Sequence, residues 1–313
     1  MIMKGLDEAR KFYETAGREM ISRDFGDFEN RIAVGLVGHG SECFGFDDAL
    51  SRDHDFETGF CLWLTREDEE KIGFKLTRAY DKLKAEYNGT PLTHTSVIGS
   101  NSQGVSRIGD FYRRYTGRDG APETWRDWLY TESSFFAEAT NGEVFRDDLG
   151  EFSAVRNTIL TGMPEDVRLK KIAARCVRMA QTGQYNYARS LAHGEEGAAM
   201  LALDDFVRNA VEIIFLLNKK HCPYYKWMFR AMKGLEKMSD LAAPLEFLLT
   251  ADNDAEGKKV KKEIIEDVCL AVAKELANQG ISDAKENYLE PHGFSVQKRI
   301  KIAEIRNLHI LVG

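Results

Sequence analysis

The sequence predicts an α+β protein, with strands gathered in a small N-terminal domain and an all-helical C-terminal domain behind it. Two apolar runs, Ile32–Val37 and Phe60–Leu64, are short and separated by turn residues, the pattern of buried strands. Beyond Pro164 the apolar residues instead recur at helical spacing. Leu203, Phe206, Val207, Ala210, Ile213, Ile214 and Leu217 make a full core-facing stripe. The change from one pattern to the other falls near residues 150–163, so the domains are expected at 1–153 and 154–313.

The elements follow in order. Leu6 to Arg23 alternates charge with apolar residues at helical spacing, which predicts an amphipathic helix leading into a strand at Arg31–Val37. After Leu64, Thr65 with Glu67, Asp68 and Glu69 makes an N-cap and an acidic first turn. A helix should run from there to about Tyr87 and stop at Asn88-Gly89. Thr90 to Gly104 is rich in Thr, Ser, Gly and Asn and reads as a long loop, either shaping a binding site or only connecting. Val105–Phe111 is expected as a third strand, and Pro122–Phe152 as short elements with Trp125, Trp128 and Phe135–Phe136 in the core. In the second half Pro164, beside Glu165 and Asp166, opens a helix whose apolar face is Leu169, Ile172, Cys176 and Met179. Helices near Glu195–Asn218, through Trp227 and Met232, at Gly257–Asn278 and at Phe294–Asn307 complete the chain.

Composition narrows the function. With 43% hydrophobic and 30% charged residues over 313, a sizeable core can be buried. A net charge of −7 argues against a dedicated binder of long nucleic acid, which carries a basic face. Cys43, Cys61, Cys176, Cys222 and Cys269 are scattered, with no Cys-x-x-Cys pair, so neither a disulfide framework nor a zinc site is expected. The N-terminus carries Lys4, Glu8 and Arg10 without an apolar core, and no apolar run reaches membrane-spanning length. A cytoplasmic protein with no membrane partner is expected.

The chemistry concentrates between Ile32 and Leu64. Gly40 and Ser41 follow the first apolar run, and such a turn offers backbone N–H groups and a hydroxyl to a phosphate. Asp53 and Asp55 alternate with one residue between them, so in an extended segment both carboxylates share a face. Two like charges that close favour a cation between them, and hard carboxylate oxygens suit Mg²⁺. A phosphate cradle joined by eleven residues to a metal-binding pair points to a nucleoside triphosphate.

Gly40-Ser41 followed by Asp53-His54-Asp55-Phe56 resembles the signature of the polymerase-β-type nucleotidyltransferase superfamily. It is most similar to the bacterial branch with a helical C-terminal domain, as in the antibiotic nucleotidyltransferases. Within that branch it looks like a poorly characterised subgroup sharing Leu217-Asn218-Lys219 and Pro223-Tyr224-Tyr225-Lys226-Trp227. The resemblance implies a small mixed-sheet catalytic domain and a helical substrate-binding domain. It implies Asp53 and Asp55 as Mg²⁺ ligands, Gly40 and Ser41 on the phosphates of an NTP (ATP first), and Lys226 reaching the triphosphate. His54 departs from the signature, which has an apolar residue there.

The family's third carboxylate, a metal ligand or general base on a neighbouring strand, has no clean match. Asp110 is the first candidate and Glu143 the second, because Ser106 or Arg107 stands where the acid is expected. Glu42, Asp47 and Asp48 read as solvated loop carboxylates, and His39 and His54 as structural. Lys226 is either a ligand contact or a solvated lysine on a helix whose Trp and Tyr fill core, and Asn218 and Arg189 are weaker candidates of the same kind. Lys258, Lys259, Lys261 and Lys262 read as an exposed helix face. The implied reaction moves an NMP from an NTP to an acceptor hydroxyl, a small molecule being favoured, and releases pyrophosphate. A nucleotide-binding regulatory or toxin–antitoxin-type module with weak catalysis, and an RNA- or protein-directed enzyme, are the alternatives.

Overall fold

The computed structural model describes residues 3–49, 58–89 and 103–313. They divide into two compact units, one of residues 1–123 with 135–162 and the other of 124–134 with 163–313. The fold is α+β, with a small mixed sheet in the first unit and helices throughout the second. The division expected after residue 153 falls inside the helix Glu151–Thr161, which belongs to the first unit.

Four short strands build the sheet: β1 (Ala33–Leu36), β2 (Cys61–Leu64), β3 (Gly104–Arg107) and β4 (Glu143–Arg146). Their order is β3-β2-β1-β4. β1 pairs antiparallel with β2 and β4, and β2 pairs parallel with β3. β1 and β2 are buried on both faces, which is why their sequences read as unbroken apolar runs rather than alternating ones. On one face Val34, Leu62 and Leu64 pack with Phe12, Met20, Ile21, Leu76 and Tyr80. Those partners come from the helical stretch Gly5–Phe12, Tyr13–Gly17 and Arg18–Asp24 and from the helix Phe74–Asn88. On the other face Trp63 stacks on Phe152 with centroids 3.8 Å apart and meets the edge of Phe111 at 5.4 Å. Truncating either large ring to alanine would remove roughly 3–5 kcal/mol.

Thr65 caps the next helical stretch as expected, its hydroxyl accepting from Asp68 N–H at 3.1 Å. The expected strand Val105–Phe111 is corrected: β3 ends at Arg107, and Ile108–Thr116 is helix. Ile108, Phe111, Tyr112 and Tyr115 fall on one helical face, and that three-and-four spacing outweighs the apolar run at its start. Phe136 is buried as expected, but Phe135, its neighbour on the helix Ser133–Thr140, is 45% exposed.

In the second unit the helix Glu165–Met179 is the centre, packed against Glu196–Leu217 and Leu289–Lys298. It is buried on nearly every side, so even its Arg168, Lys170 and Lys171 are inside. Residues 124–134 join this unit through the helix Trp125–Tyr130, which Thr124 and Asp127 open with a reciprocal capping box. The single helix expected at Phe294–Asn307 is two, Leu289–Lys298 and Ala303–Arg306. Asp166 intervenes: its carboxylate accepts the N–H groups of Lys301 and Ile302, the latter at 2.7 Å. Ala242–Thr250 is a further helix that the periodicity did not single out. The lysine run on Ala255–Asn278 is not wholly an exposed face, since Lys261 is buried and donates to the Ala251 carbonyl at 2.8 Å. Among the described residues no helix is long and apolar enough to cross a membrane.

Candidate functional site

The candidate phosphate turn grows directly from the central strand. β1 ends at Leu36, and the chain turns through Gly38 and Gly40 at φ 126° and 124°. Only glycine adopts such angles without strain. A Cβ at Gly40 would also stand 2.5 Å from the Glu42 carboxylate. Gly38 is buried, His39 is exposed, and Gly40 and Ser41 are half-buried. The tip of the turn is therefore open while its base is fixed.

Asn141 does the fixing. Its side-chain oxygen accepts the Gly38 N–H at 2.8 Å, and its NH₂ donates to the Gly38 carbonyl at 2.7 Å, across 103 residues of sequence. Gly142 beside it, at φ 58°, lets the backbone come so near β1 that a Cβ there would overlap the Leu36 carbonyl. Arg156 then closes the corner, donating from one nitrogen to the carbonyls of Thr140 at 2.7 Å, Asn141 at 3.2 Å and Gly142 at 3.3 Å. The sequence signal for this corner was Asn141-Gly142, legible as a turn but silent about what it would hold.

Two acids near the turn are less solvated than expected. Burial pushes the Glu42 carboxyl up, and Asp47 adds to the shift. Hydrogen bonds from Glu42's own N–H and from the Ser41 hydroxyl oppose it, as does His39. Asp47, expected in solvent, is 2% exposed, and its carboxylate accepts the Gly5 N–H at 2.9 Å. Asp48 is exposed. His39 Nδ1 stands 3.5 Å from the largely buried Glu138 carboxylate, an acid that the sequence did not single out.

The remaining candidates spread apart. Asp53 and Asp55, the candidate metal ligands, and His54 lie outside the described residues. Asp110 sits in the first turn of the helix Ile108–Thr116 rather than at a strand end. Arg107 grips it bidentately at 2.6 and 3.0 Å. That hydrogen bonding holds the Asp110 carboxyl below its ordinary range, with the charges of Arg107, Arg113 and Arg114 adding to the effect. Ser106, opposite Trp63 in the β2–β3 register, has a buried hydroxyl with no hydrogen-bond partner among the described residues. Glu143, on β4 opposite Leu36, pairs with Arg10.

In the second unit Lys226 is exposed in the first turn of the helix Tyr225–Met232, beside the tilted ring pair Tyr224–Tyr225 at 4.3 Å. Asn218 is structural, because its amide bonds Ile214 and Lys237 and stops the helix Glu196–Leu217. The Arg189 guanidinium lies over the Tyr185 ring at 5.6 Å.

To a phosphate, the described residues offer the open tip of a glycine turn and the Ser41 hydroxyl. For a divalent cation they hold no group of three or more His, Cys, Asp or Glu with suitable placement. A family of unknown function, DUF4037, matches residues 128–228, about a third of the chain. That segment contains Asn141, Arg156 and Tyr224-Tyr225-Lys226, but neither Gly40-Ser41 nor Asp53 and Asp55. No curated protein and no solved structure matches the chain.

Proposed function

We propose that this chain is a Mg²⁺-dependent nucleotidyltransferase that moves an NMP from an NTP, ATP first, to an acceptor hydroxyl and releases pyrophosphate. The observation that carries it is the Gly38–Ser41 turn, braced at its base and open at its tip, on the strand next to β2. Glycine backbone at that tip lets a triphosphate approach the N–H groups closely, and Ser41 adds a hydroxyl. Asp53 and Asp55, which precede β2 in the sequence, would hold Mg²⁺. The cation there supplies positive charge against the attacking and leaving oxygens. Lys226 is the proposed cation from the helical unit, and a small-molecule acceptor in the cytoplasm is the proposed setting.

Asp110 is the sequence candidate for the third carboxylate, yet Arg107 neutralises it in a bidentate pair. That pairing favours the second reading, a nucleotide-binding regulatory or toxin–antitoxin-type module with weak catalysis.

The test is pyrophosphate release from each of the four NTPs with Mg²⁺ over a panel of acceptors, wild type against Asp53→Ala/Asp55→Ala. Acceptor-dependent release that disappears in the double variant is expected. Mg²⁺-dependent NTP binding without release on any acceptor would transfer support to the regulatory module. Absence of NTP binding would refute both.

A further inference from the structure

We infer that Asn141 is a positioning residue for the triphosphate, setting the Gly38–Ser41 turn through Gly38, with Arg156 holding Asn141 in place. The inference rests on the nucleotidyltransferase proposal and extends it to residues outside the Gly-Ser and Asp-x-Asp signature. One primary amide satisfies both backbone groups of Gly38, at 2.8 and 2.7 Å, at the point where the chain has left the β1 ladder. Those two bonds fix the peptide planes on either side of Gly38, and hence the direction in which the next residues, His39 to Ser41, leave the sheet.

Asn141 itself is not free to follow the turn. Its own carbonyl, with those of Thr140 and Gly142, accepts from Arg156. The Arg156 guanidinium is half-buried and spends one nitrogen on these three oxygens, although a surface arginine would keep its charge in water. A loop that only joined β4 to the sheet needs a turn here. It does not need a cation clamped over the residue that grips Gly38. The turn's tip is braced only locally among the described residues, the Ser41 carbonyl accepting the N–H groups of Phe44 and Phe46 at 3.2 and 2.8 Å. Those local bonds shape the tip, while Asn141 sets the direction in which it leaves the sheet.

The experiment compares wild type with Asn141→Ala, Asn141→Asp, Arg156→Met and Arg156→Lys in the full chain. Kd for MgATP and for inorganic tripolyphosphate is measured by calorimetry at a temperature where each variant is folded, beside its unfolding midpoint. Arg146→Met, which removes a half-buried arginine bound to Glu29 and Asn30, controls for simple loss of stability in the same unit. Asn141→Ala is expected to weaken both ligands tenfold or more. Arg156→Met should weaken them several-fold, and Arg156→Lys should recover part of that loss. Arg146→Met should lower the midpoint and leave both affinities alone. If Asn141→Ala does not fold, Asn141→Asp, which keeps the acceptor for Gly38 N–H, and Arg156→Met decide the matter. Wild-type affinity in the folded variants, or an equal loss in Arg146→Met, overturns the positioning role while leaving the nucleotidyltransferase proposal standing. Failure of wild type to bind either ligand removes the proposal beneath it.

Discussion

Asn141 in the first unit and Lys170 in the second are both polar side chains that satisfy backbone groups far away in sequence, and they leave opposite results behind. Asn141 holds the base of a turn whose tip stays open. Lys170 is fully buried and donates to Gln297 Oε1 and to the carbonyls of Leu308, His309 and Ile310, which closes the C-terminal segment onto the helix Glu165–Met179. A long-range polar contact marks a site only when the thing it fixes remains accessible. Where it ties a chain segment down around its own enclosed ammonium and leaves no open turn, as Lys170 does, it is a stitch.

The largest effect should come from breaking the stitch. Lys170→Met leaves four acceptors without their donor and should cost the second unit roughly 3 kcal/mol or more. Denaturant unfolding measures that loss, and MgATP affinity in the folded variant should stay at the wild-type value. If affinity fell as far as in Asn141→Ala, the distinction between brace and stitch would not survive.

Its neighbour sharpens the contrast. Lys171 is as deeply placed, and burial pulls the pKa of both lysines down to about 8, but among the described residues Lys171 has one weak acceptor, the Thr131 carbonyl at 3.4 Å. Below about 8 the folded and unfolded states both carry the proton, and the folded state buries a poorly paired charge. As pH rises from there towards the ordinary lysine value, the folded chain releases the proton first, so stability gains. Lys171→Met should therefore stabilise the protein near pH 7 by on the order of 2 kcal/mol, and its advantage should shrink by pH 10. An advantage independent of pH would mean that packing, not charge, sets the effect.

The smallest effect belongs to the turn. Burial raises the Glu42 pKa, so the folded state takes up its proton more readily than the unfolded one. Above the raised value the carboxylate is charged in both states and half-buried in one, and that penalty fades as pH falls through it. Glu42→Gln keeps the shape without the charge. It should stabilise the protein, with an advantage that shrinks as pH falls, and tighten tripolyphosphate binding a few-fold by removing a negative charge beside Ser41. Unchanged tripolyphosphate affinity would place the ligand's charge away from this turn.

Much of the fold was legible because its causes are local. The apolar runs of β1 and β2, the Thr65 cap, the stop at Asn88-Gly89 and the stripe of Glu196–Leu217 each depend on residues within a turn or two of one another. β3 was half legible. Its continuation into the helix that carries Asp110 was written in the three-and-four spacing of Ile108, Phe111, Tyr112 and Tyr115, which the apolar run at its start masked.

By itself, then, the sequence determined the fold class, most helices and strands, and the proximity in the chain of Gly40, Ser41, Asp53 and Asp55. Tertiary structure alone decided that residues 135–162 return to the sheet, that Asn141 grips Gly38, and that Asp47 and Lys261 are buried. Capping and periodicity act over a few residues, and the free energy of burying a polar group depends on partners that only the folded chain brings near.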